Sequence, residues 1–351
     1  MALIFSDGFD HYDSAQLNKK WDFSGGTPWV SPPAIYEGQG RFETNAMGHG
    51  DSWGRVIKAM PNGPLGYVTA GVAYKPTDGL VSAPGMIISF VSGGTWLCGV
   101  GVTETFNLYF WSGEVRWYAN TPIRNKAYNY VEIQIQSFHG SAGIAKVWLQ
   151  EVLVLNLSDI NSNSGSSYSV AEAVALGGPA SWQRTDYPGI ILYDDFYLTD
   201  NTGDDNKDQL GDVRVVEQLP TADVDKEWTR NTGSDNYALV DDPYDSIDDD
   251  TTYITTQTED AKDTYTFPDL PTTTGEVKGV MMNFYAKKID SGSRGVSMTA
   301  KLSGGTYGDG TERRVGGDYI FYQSIMERDP TDTLWTISSV NSTNFGPKLT
   351  T

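Results

Sequence analysis

Strand patterns run through most of the chain, while helical patterns are nearly absent. The stretch 130–138, YVEIQIQSF, alternates apolar and polar side chains residue by residue, as a strand with one buried and one solvated face does. The stretch 145–160 continues the alternation on both sides of a turn, so the two stretches predict a hairpin ladder. A helix-friendly composition occurs at 169–178, but serine and glycine flank it and a loop fits it as well. The pattern predicts an all-β fold.

Two domains are predicted from the way the chain changes after residue 200. The hexapeptide at 193–198, YDDFYL, partly echoes DGFDHY at 7–12. The first and last strands of an antiparallel sandwich commonly lie side by side, so we expect 5–12 to pair near 190–198 and close a first domain. The stretch TDNTGDDNKDQ that follows offers no apolar side chain to bury. We predict two antiparallel β-sandwich domains, 1–202 and a smaller 210–351, joined by a polar linker at 203–209.

Composition and charge exclude several partners. The 351 residues carry a net charge of −20, and nucleic-acid binding needs clustered Lys and Arg, so we predict no nucleic-acid partner. No apolar run approaches the ~18 residues of a membrane span, and the first ten residues lack the basic leader of a secretory signal. We therefore expect synthesis in the cytosol and no membrane insertion. Cys98 is the only cysteine, which excludes an intrachain disulfide and cysteine metal sites.

Histidine chemistry finds no support in the sequence. His11, His49 and His139 are scattered, without the spacing of an H-E-x-x-H metal site. No G-x-S-x-G turn accompanies them, as a serine hydrolase of that type would require. We predict no catalytic histidine and no cofactor.

Glycoside cleavage by two carboxyl groups is the enzymatic alternative that a sandwich suggests. The strand at 130–138 lies where some sandwich glucanases carry an E-x-D-x-x-E pattern, but here Glu132 is followed by Gln134 and Gln136. Amides cannot ionise, so this strand supplies no pair of acid and nucleophile. On this reasoning we predict that the protein is not an enzyme.

Acidic loops raise the question of calcium. An EF-hand loop starting at Asp204 would need Gly at its sixth and Glu at its twelfth position, where the chain has Gln209 and Val215. A second acidic stretch contains Asp241, Asp242, Asp245 and 248–250. Solvated loops are the interpretation that we favour, so no metal site is predicted, and whether these loops hold calcium stays open.

Aromatic residues give the candidate carbohydrate-binding site. Tyr109, Trp111 and Trp117 flank a predicted hairpin turn at 112–114, and Tyr109 and Trp111 share one face of a strand. If that face is exposed, the rings can stack on sugars; if it is buried, they fill the core. We favour the core and keep the three rings as the candidate glycan contacts.

The order of several segments resembles structural proteins of tailed-bacteriophage virions. SDGFDHY, YVEIQIQ, AKVWLQEVLVLNLSDI and ILYDDFYLTDNTG are similar to a concanavalin-like jelly-roll domain found in many such proteins, and the chain after 210 is similar to a module often attached to it. The resemblance implies a jelly-roll first domain and a non-enzymatic virion component, a tail-associated or fibre subunit. It also implies contacts with copies of itself and with other virion proteins, and glycan contact on the host surface.

Three alternatives remain open at this point. A capsid decoration protein belongs to the same class, because such modules occur on tails, fibres and capsids alike. A carbohydrate-binding lectin module and a glycan-degrading enzyme belong to other classes. The position in a virion, the oligomeric state and the host cannot be read from the sequence.

Overall fold

The computed structural model describes residues 2–25, 32–49, 54–77, 85–178 and 190–351. It divides the chain into two compact units, Ala2–Val215 and Val216–Thr351. Both are built from antiparallel strands, and in the described residues each contains one short α-helix, which confirms the predicted all-β class.

The first unit is a sandwich of two antiparallel sheets. Its elements are β1 (Leu3–Asp7), α1 (Leu17–Lys20), β2 (Phe23–Gly25), β3 (Ala34–Tyr36), β4 (Ala46–His49), β5 (Arg55–Ala59), β6 (Val68–Pro76), β7 (Gly85–Ser92), β8 (Thr95–Val102), β9 (Asn107–Ser112), β10 (Val115–Pro122), β11 (Asn129–Ser137), β12 (Gly143–Leu149), β13 (Val152–Ile160), β14 (Ala173–Leu176) and β15 (Ile191–Thr199). One sheet has the order β13-β12-β11-β6-β15-β4-β3, with β1 also on β15; the other has the order β10-β9-β8-β7-β14-β5-β2.

The ends of the sandwich pair as the echo between its first and last strands predicts. β1 runs antiparallel to β15, with Phe5 opposite Leu198 and Asp7 opposite Phe196. The pairing stops at Asp7, and residues 8–12 leave the sheet. Pairing of these two strands joins the beginning and the end of the first unit in one sheet.

The first unit extends further along the chain than the sequence suggests. Residues 204–215, which we call the strap, belong to it, although the sequence assigns 203–209 to a linker and starts the second domain at 210. Hydrogen bonds hold the strap: the amides of Leu210 and Gly211 donate to Tyr197 Oη and Glu132 Oε1. Because these contacts are polar, the hydropathy of the segment gives no sign of them.

The strap also changes the environment of β11. Val131, Ile133 and Ile135 face the core and are fully buried, as the alternation predicts. The opposite face was expected to be solvated, but Glu132 and Gln134 are only 1% and 2% exposed. Gln134 Nε2 lies 3.3 Å from the carboxylate of Asp208 in the strap, so this segment covers the polar face.

The second unit is a smaller β-structure with its own core. Its elements are β16 (Ala222–Lys226), β17 (Thr229–Arg230), β18 (Ile254–Thr255), β19 (Asp263–Thr266), β20 (Val280–Ala286), β21 (Gly295–Lys301), β22 (Tyr307–Asp309), β23 (Arg313–Arg314), β24 (Ile320–Met326), α2 (Ile337–Asn341) and β25 (Asn344–Leu349). The main sheet has the order β16-β19-β25-β21-β22, with β23 also on β21, and two-stranded sheets join β17 to β18 and β20 to β24. Met298, Ala300, Trp335 and Phe345 centre its core.

The helices of the described residues are too short and too polar to cross a lipid bilayer.

Candidate functional site

A cleft of about 370 Å³ opens in the first unit, and it is lined by residues from separate parts of the chain. The turn that precedes β4, the end of β6, the loop before β11, the turn after β12 and the strap all contribute. The lining residues are Gly40, Arg41, Phe42, Lys75, Arg124, Tyr128, Tyr130, Gln150 and Asp212. Three of the nine are cations, which is unexpected in a chain with a net charge of −20.

Arg41 is fixed between two carboxylates. Its Nη1 donates to Asp195 at 3.0 Å and to the carbonyl of Val213 at 3.1 Å, and its Nη2 donates to Asp212 at 2.6 Å. Burial lowers the pKa of Arg41, but the two carboxylates outweigh burial and hold it above its ordinary value. The guanidinium also lies 5.5 Å from the centroid of the Tyr130 ring. Arg41 is therefore a rigid cation at the base of the cleft.

Lys75 and Arg124 have no carboxylate partner within ion-pair distance in the described part of the chain. Lys75 Nζ lies 5.2 Å from the centroid of the Tyr128 ring. Arg124 is exposed and donates from Nη2 to the carbonyl of Tyr128 at 3.1 Å. A neutral ring and a carbonyl are their nearest contacts, so no carboxylate in the described ranges neutralises either charge. The two side chains thus present cationic groups to whatever enters the cleft.

Aromatic rings form the walls of the cleft. Tyr128 donates from its hydroxyl to the carbonyl of Gln39 at 2.8 Å, and burial, aided by the charge of Asp194, raises its pKa. Phe42 is 56% exposed, and its backbone has a φ of 58°, a conformation that a non-glycine residue seldom adopts. The Arg214 guanidinium lies 4.1 Å from the Phe42 ring centroid. Phe42 is an exposed ring fixed at the rim.

Two buried carboxyl groups, Asp194 and Asp195, and the half-buried Asp10 support the turn that carries Arg41. Asp194 accepts from the Arg41 amide at 2.7 Å, and Asp10 accepts from the Asn45 amide at 2.7 Å. Burial raises the pKa of Asp10 to about 7, although the hydrogen bond from Asn45 opposes the shift. Burial and the neighbouring Asp195 raise the pKa of Asp194; burial also raises that of Asp195, against the effect of Arg41. This cluster positions the turn and does not line the cleft.

Glu132, the carboxyl on β11 that the sequence singles out, lies beneath the strap and outside the cleft. Its Oε1 accepts from the Tyr197 hydroxyl at 2.5 Å and from the Gly211 amide at 2.9 Å. Burial raises its pKa, and the hydrogen bond from Tyr197 opposes this. In this structure its role is to anchor the strap.

The three candidate carbohydrate-binding rings lie away from the cleft. Tyr109 and Trp111 are 1% and 4% exposed and pack together with Met86, so neither offers an open face to a sugar here. Trp117 is half-buried on β10, and its ring lies 5.6 Å from that of Phe110. The structure brings Tyr109 and Trp111 together but does not bring Trp117 to them.

The other candidate chemistry also lies outside the cleft. His139 accepts at Nδ1 from the amides of Ser141 and Ala142, so it stabilises a turn. In the second unit, Asp250 pairs with Lys287 at 2.8 Å. Among the described residues, no group of three or more His, Cys, Asp or Glu side chains is arranged to hold a metal ion.

The sequence reasoning missed Arg41, Lys75, Arg124 and Phe42. They come from three separate parts of the chain, around 41–42, 75 and 124, and belong to no motif. The one available signal is that basic residues are few in this acidic sequence, and that signal does not say which of them converge.

Comparison with known proteins gives a likeness of fold only. No family model and no curated protein matches the chain. An endo-β-1,4-glucuronan lyase from Trichoderma reesei is 14% identical, over 54% of this chain and 94% of that one, with a TM-score of 0.42. The alginate lyase Aly36B is 14% identical over 56% of this chain and 96% of its own, with a TM-score of 0.39. A sialidase is 9% identical over 50% of this chain and 16% of its own, with a TM-score of 0.36.

The prediction that the protein is not an enzyme is corrected by this comparison. The similar structures are named as polysaccharide lyases and sialidases, all of them enzymes, so the fold gives no ground for excluding catalysis. A pair of carboxyl groups on β11 is only one route to glycan cleavage. The absence of that pair does not exclude another kind of catalysis in a cleft lined by cations and tyrosines.

Proposed function

We propose that the first unit binds an acidic glycan in the cleft around Arg41. The observation that carries this proposal is the pair of cations, Lys75 and Arg124, that face the cleft without a carboxylate partner among the residues that the structure describes. Two such cations that converge on one cleft, beside Arg41, form a site for an anionic group.

The walls of the cleft favour a sugar as the carrier of that anion. The Phe42 ring is 56% exposed although the Arg214 guanidinium lies 4.1 Å from its centroid, so its uncovered surface can contact the C–H face of a pyranose. The volume of about 370 Å³ lies within the range of small-ligand sites. Duplex DNA carries a charge every ~1.7 Å, which the acidic remainder of the protein would repel. A uronate chain carries one carboxylate per sugar, so its charge is spread more widely.

The double variant Lys75→Met/Arg124→Met tests the proposal. Hydrogen bonds that involve a charged group are worth about 1.5–3 kcal/mol each, so we expect affinity for acidic glycans to fall by at least about 30-fold. The measurement is titration calorimetry with a panel of polyuronates, alginate and glucuronan among them, and of neutral glucans. Product analysis of the same mixtures reports whether binding leads to cleavage.

Lys126→Met is the matched control, because Lys126 is an exposed cation two residues from Arg124 that does not line the cleft. Its affinity should stay within about twofold of wild type, as is usual for an exposed charge away from a site. Equal losses in the control and the double variant would mean that overall charge, and not the cleft, governs binding.

We propose further that the glycan-binding unit belongs to a virion component, a tail-associated or fibre subunit. The support is the order of the resembling segments in the sequence; capsid decoration is the alternative within the same class. Contacts with copies of itself and with other virion proteins form part of this proposal. The location and copy number of the protein in purified particles test it, since symmetry about the tail axis and dispersal over the capsid are readily told apart.

A further inference from the structure

The strap brings a carboxylate of the protein itself into the cationic cleft. Asp212 lines the cleft, and its Oδ1 accepts from Arg41 Nη2 at 2.6 Å. The two side chains are 31% and 15% exposed, so the pair lies at the boundary with solvent. A carboxylate on the outer edge of a guanidinium is the contact that a uronate would make.

Arg41 is held from behind by a different carboxylate. Asp195 binds Nη1 and is 3% exposed, so it fixes the guanidinium whether or not Asp212 is present. Asp212 is thus not needed to hold Arg41 in place. Its removal would leave Nη2 pointing into the cleft with no carboxylate partner on the strap.

The strap is attached by hydrogen bonds and one ion pair, with little apolar packing. None of residues 204–215 is fully buried, so little apolar area holds the segment down. Four of its amides donate to side-chain oxygens of the sandwich, those of Leu210, Gly211, Asp212 and Val215. In addition, Gln209 Oε1 in the strap and Glu132 Oε2 below it are buried without a hydrogen-bond partner among the described residues. Unsatisfied polar atoms destabilise such a contact, and segments with few apolar contacts open most easily.

We propose that Asp212 occupies the place of the ligand carboxylate on Arg41 and that an acidic glycan displaces it together with the strap. This inference rests on the proposed function of the cleft. The strap acts as an internal competitor, which lowers the affinity for weakly charged ligands and favours those whose carboxylate binds Arg41 better than Asp212 does.

The test compares Asp212→Asn with Asp204→Asn in the full chain, with an oligogalacturonate as the probe. Both variants remove one negative charge from the strap, but Asp204 is exposed and lies outside the cleft. We expect Asp212→Asn to bind the probe about 5-fold more tightly than wild type, as the loss of a partly exposed competing ion pair allows. Asp204→Asn should stay within about twofold. Peptides that cover 204–215 should exchange hydrogen faster when wild-type protein binds the probe.

Three results would overturn the inference. If Asp212→Asn binds the probe as wild type does, and residues 204–215 exchange hydrogen more slowly on binding, the inference is wrong and the proposed function stands. Equal tightening in both variants assigns the effect to long-range charge and also removes it. Absence of binding by wild type and by both variants overturns the proposed function, and the inference with it.

Discussion

Replacing Trp21 with alanine is expected to lower the free energy of unfolding of the first unit by about 4 kcal/mol. The indole is fully buried and lies 5.4 Å from the ring of Phe5, edge to face, and 5.5 Å from that of Phe196. It therefore packs against both β1 and β15. A cavity of this size beneath the paired strands β1 and β15 could be filled only by moving the side chains that both strands pack onto it.

The same substitution removes a hydrogen bond to a buried carboxyl group. Trp21 Nε1 donates to Asp7 Oδ2 at 2.8 Å, and Asp7, 1% exposed, also accepts from the hydroxyl of Tyr12 at 2.6 Å and the amide of Phe9 at 2.9 Å. Burial raises the pKa of Asp7 in spite of Lys20 and these hydrogen bonds. Loss of one donor adds to the cost of the cavity.

Urea unfolding read by pulsed hydrogen exchange on peptides of β11 and β15 measures this unit separately from the second one. Trp117→Ala is the control, because it removes the same side chain from a half-buried position on β10, and it should cost about 1 kcal/mol. A Trp21→Ala variant that unfolds no more easily than Trp117→Ala would show that the strand closure does not depend on this cluster.

The first unit is expected to be more stable at pH 5 than at pH 8, by about 2–4 kcal/mol. The pKa of Asp10 is raised to about 7 by burial, and those of Asp194 and Glu132 are also raised, again mainly by burial. In the unfolded chain these groups ionise near pH 4. From about pH 4 up to these raised pKa values, about 7 for Asp10, the folded state holds protons that the unfolded state has released, so their contribution to stability falls as the pH rises. Burial lowers the pKa of His11, which has the opposite effect below about pH 6.5, but three carboxyl groups outweigh this one imidazole.

The same urea experiment at the two pH values checks the sign and size of this effect. Asp10→Asn keeps an oxygen to accept from the Asn45 amide but cannot ionise, so its stability should fall less between pH 5 and 8 than that of wild type. Asp204→Asn changes an exposed carboxyl and should leave the slope as it is. A first unit that becomes more stable towards pH 8 would contradict the assignment of buried, protonated carboxyl groups.

The sequence predicts the framework of the first unit well because its strands follow local rules. Val131 and Ile133 lie on the buried face that the alternation assigns to them. The echo between the two ends of the sandwich predicts the pairing of β1 with β15, although of the stretch 5–12 only 5–7 pair, with residues 196–198. In each case the hydrophobic pattern determines which face is buried, and packing of the two sheets follows from it.

The strap and the cleft could not be predicted, because both depend on polar contacts between distant residues. Glu132 bonds to Gly211, 79 positions along the chain, and nothing in the composition of 203–215 distinguishes a segment held by hydrogen bonds from a linker. Lys75 and Arg124 meet only because β6 and β11 are neighbours in the sheet. The pattern of apolar and polar residues along the chain does not show which distant side chains become neighbours.

Recognition of a carboxylate in the cleft is the central claim, and calorimetry with two matched ligands tests it most directly. Wild-type protein is titrated with an oligogalacturonate and with the same oligosaccharide after reduction of its carboxyl groups to alcohols. The acidic form should bind at least about 10-fold more tightly, and its affinity should fall as salt is added. Equal affinity for the two forms, or no binding of either, would contradict the claim.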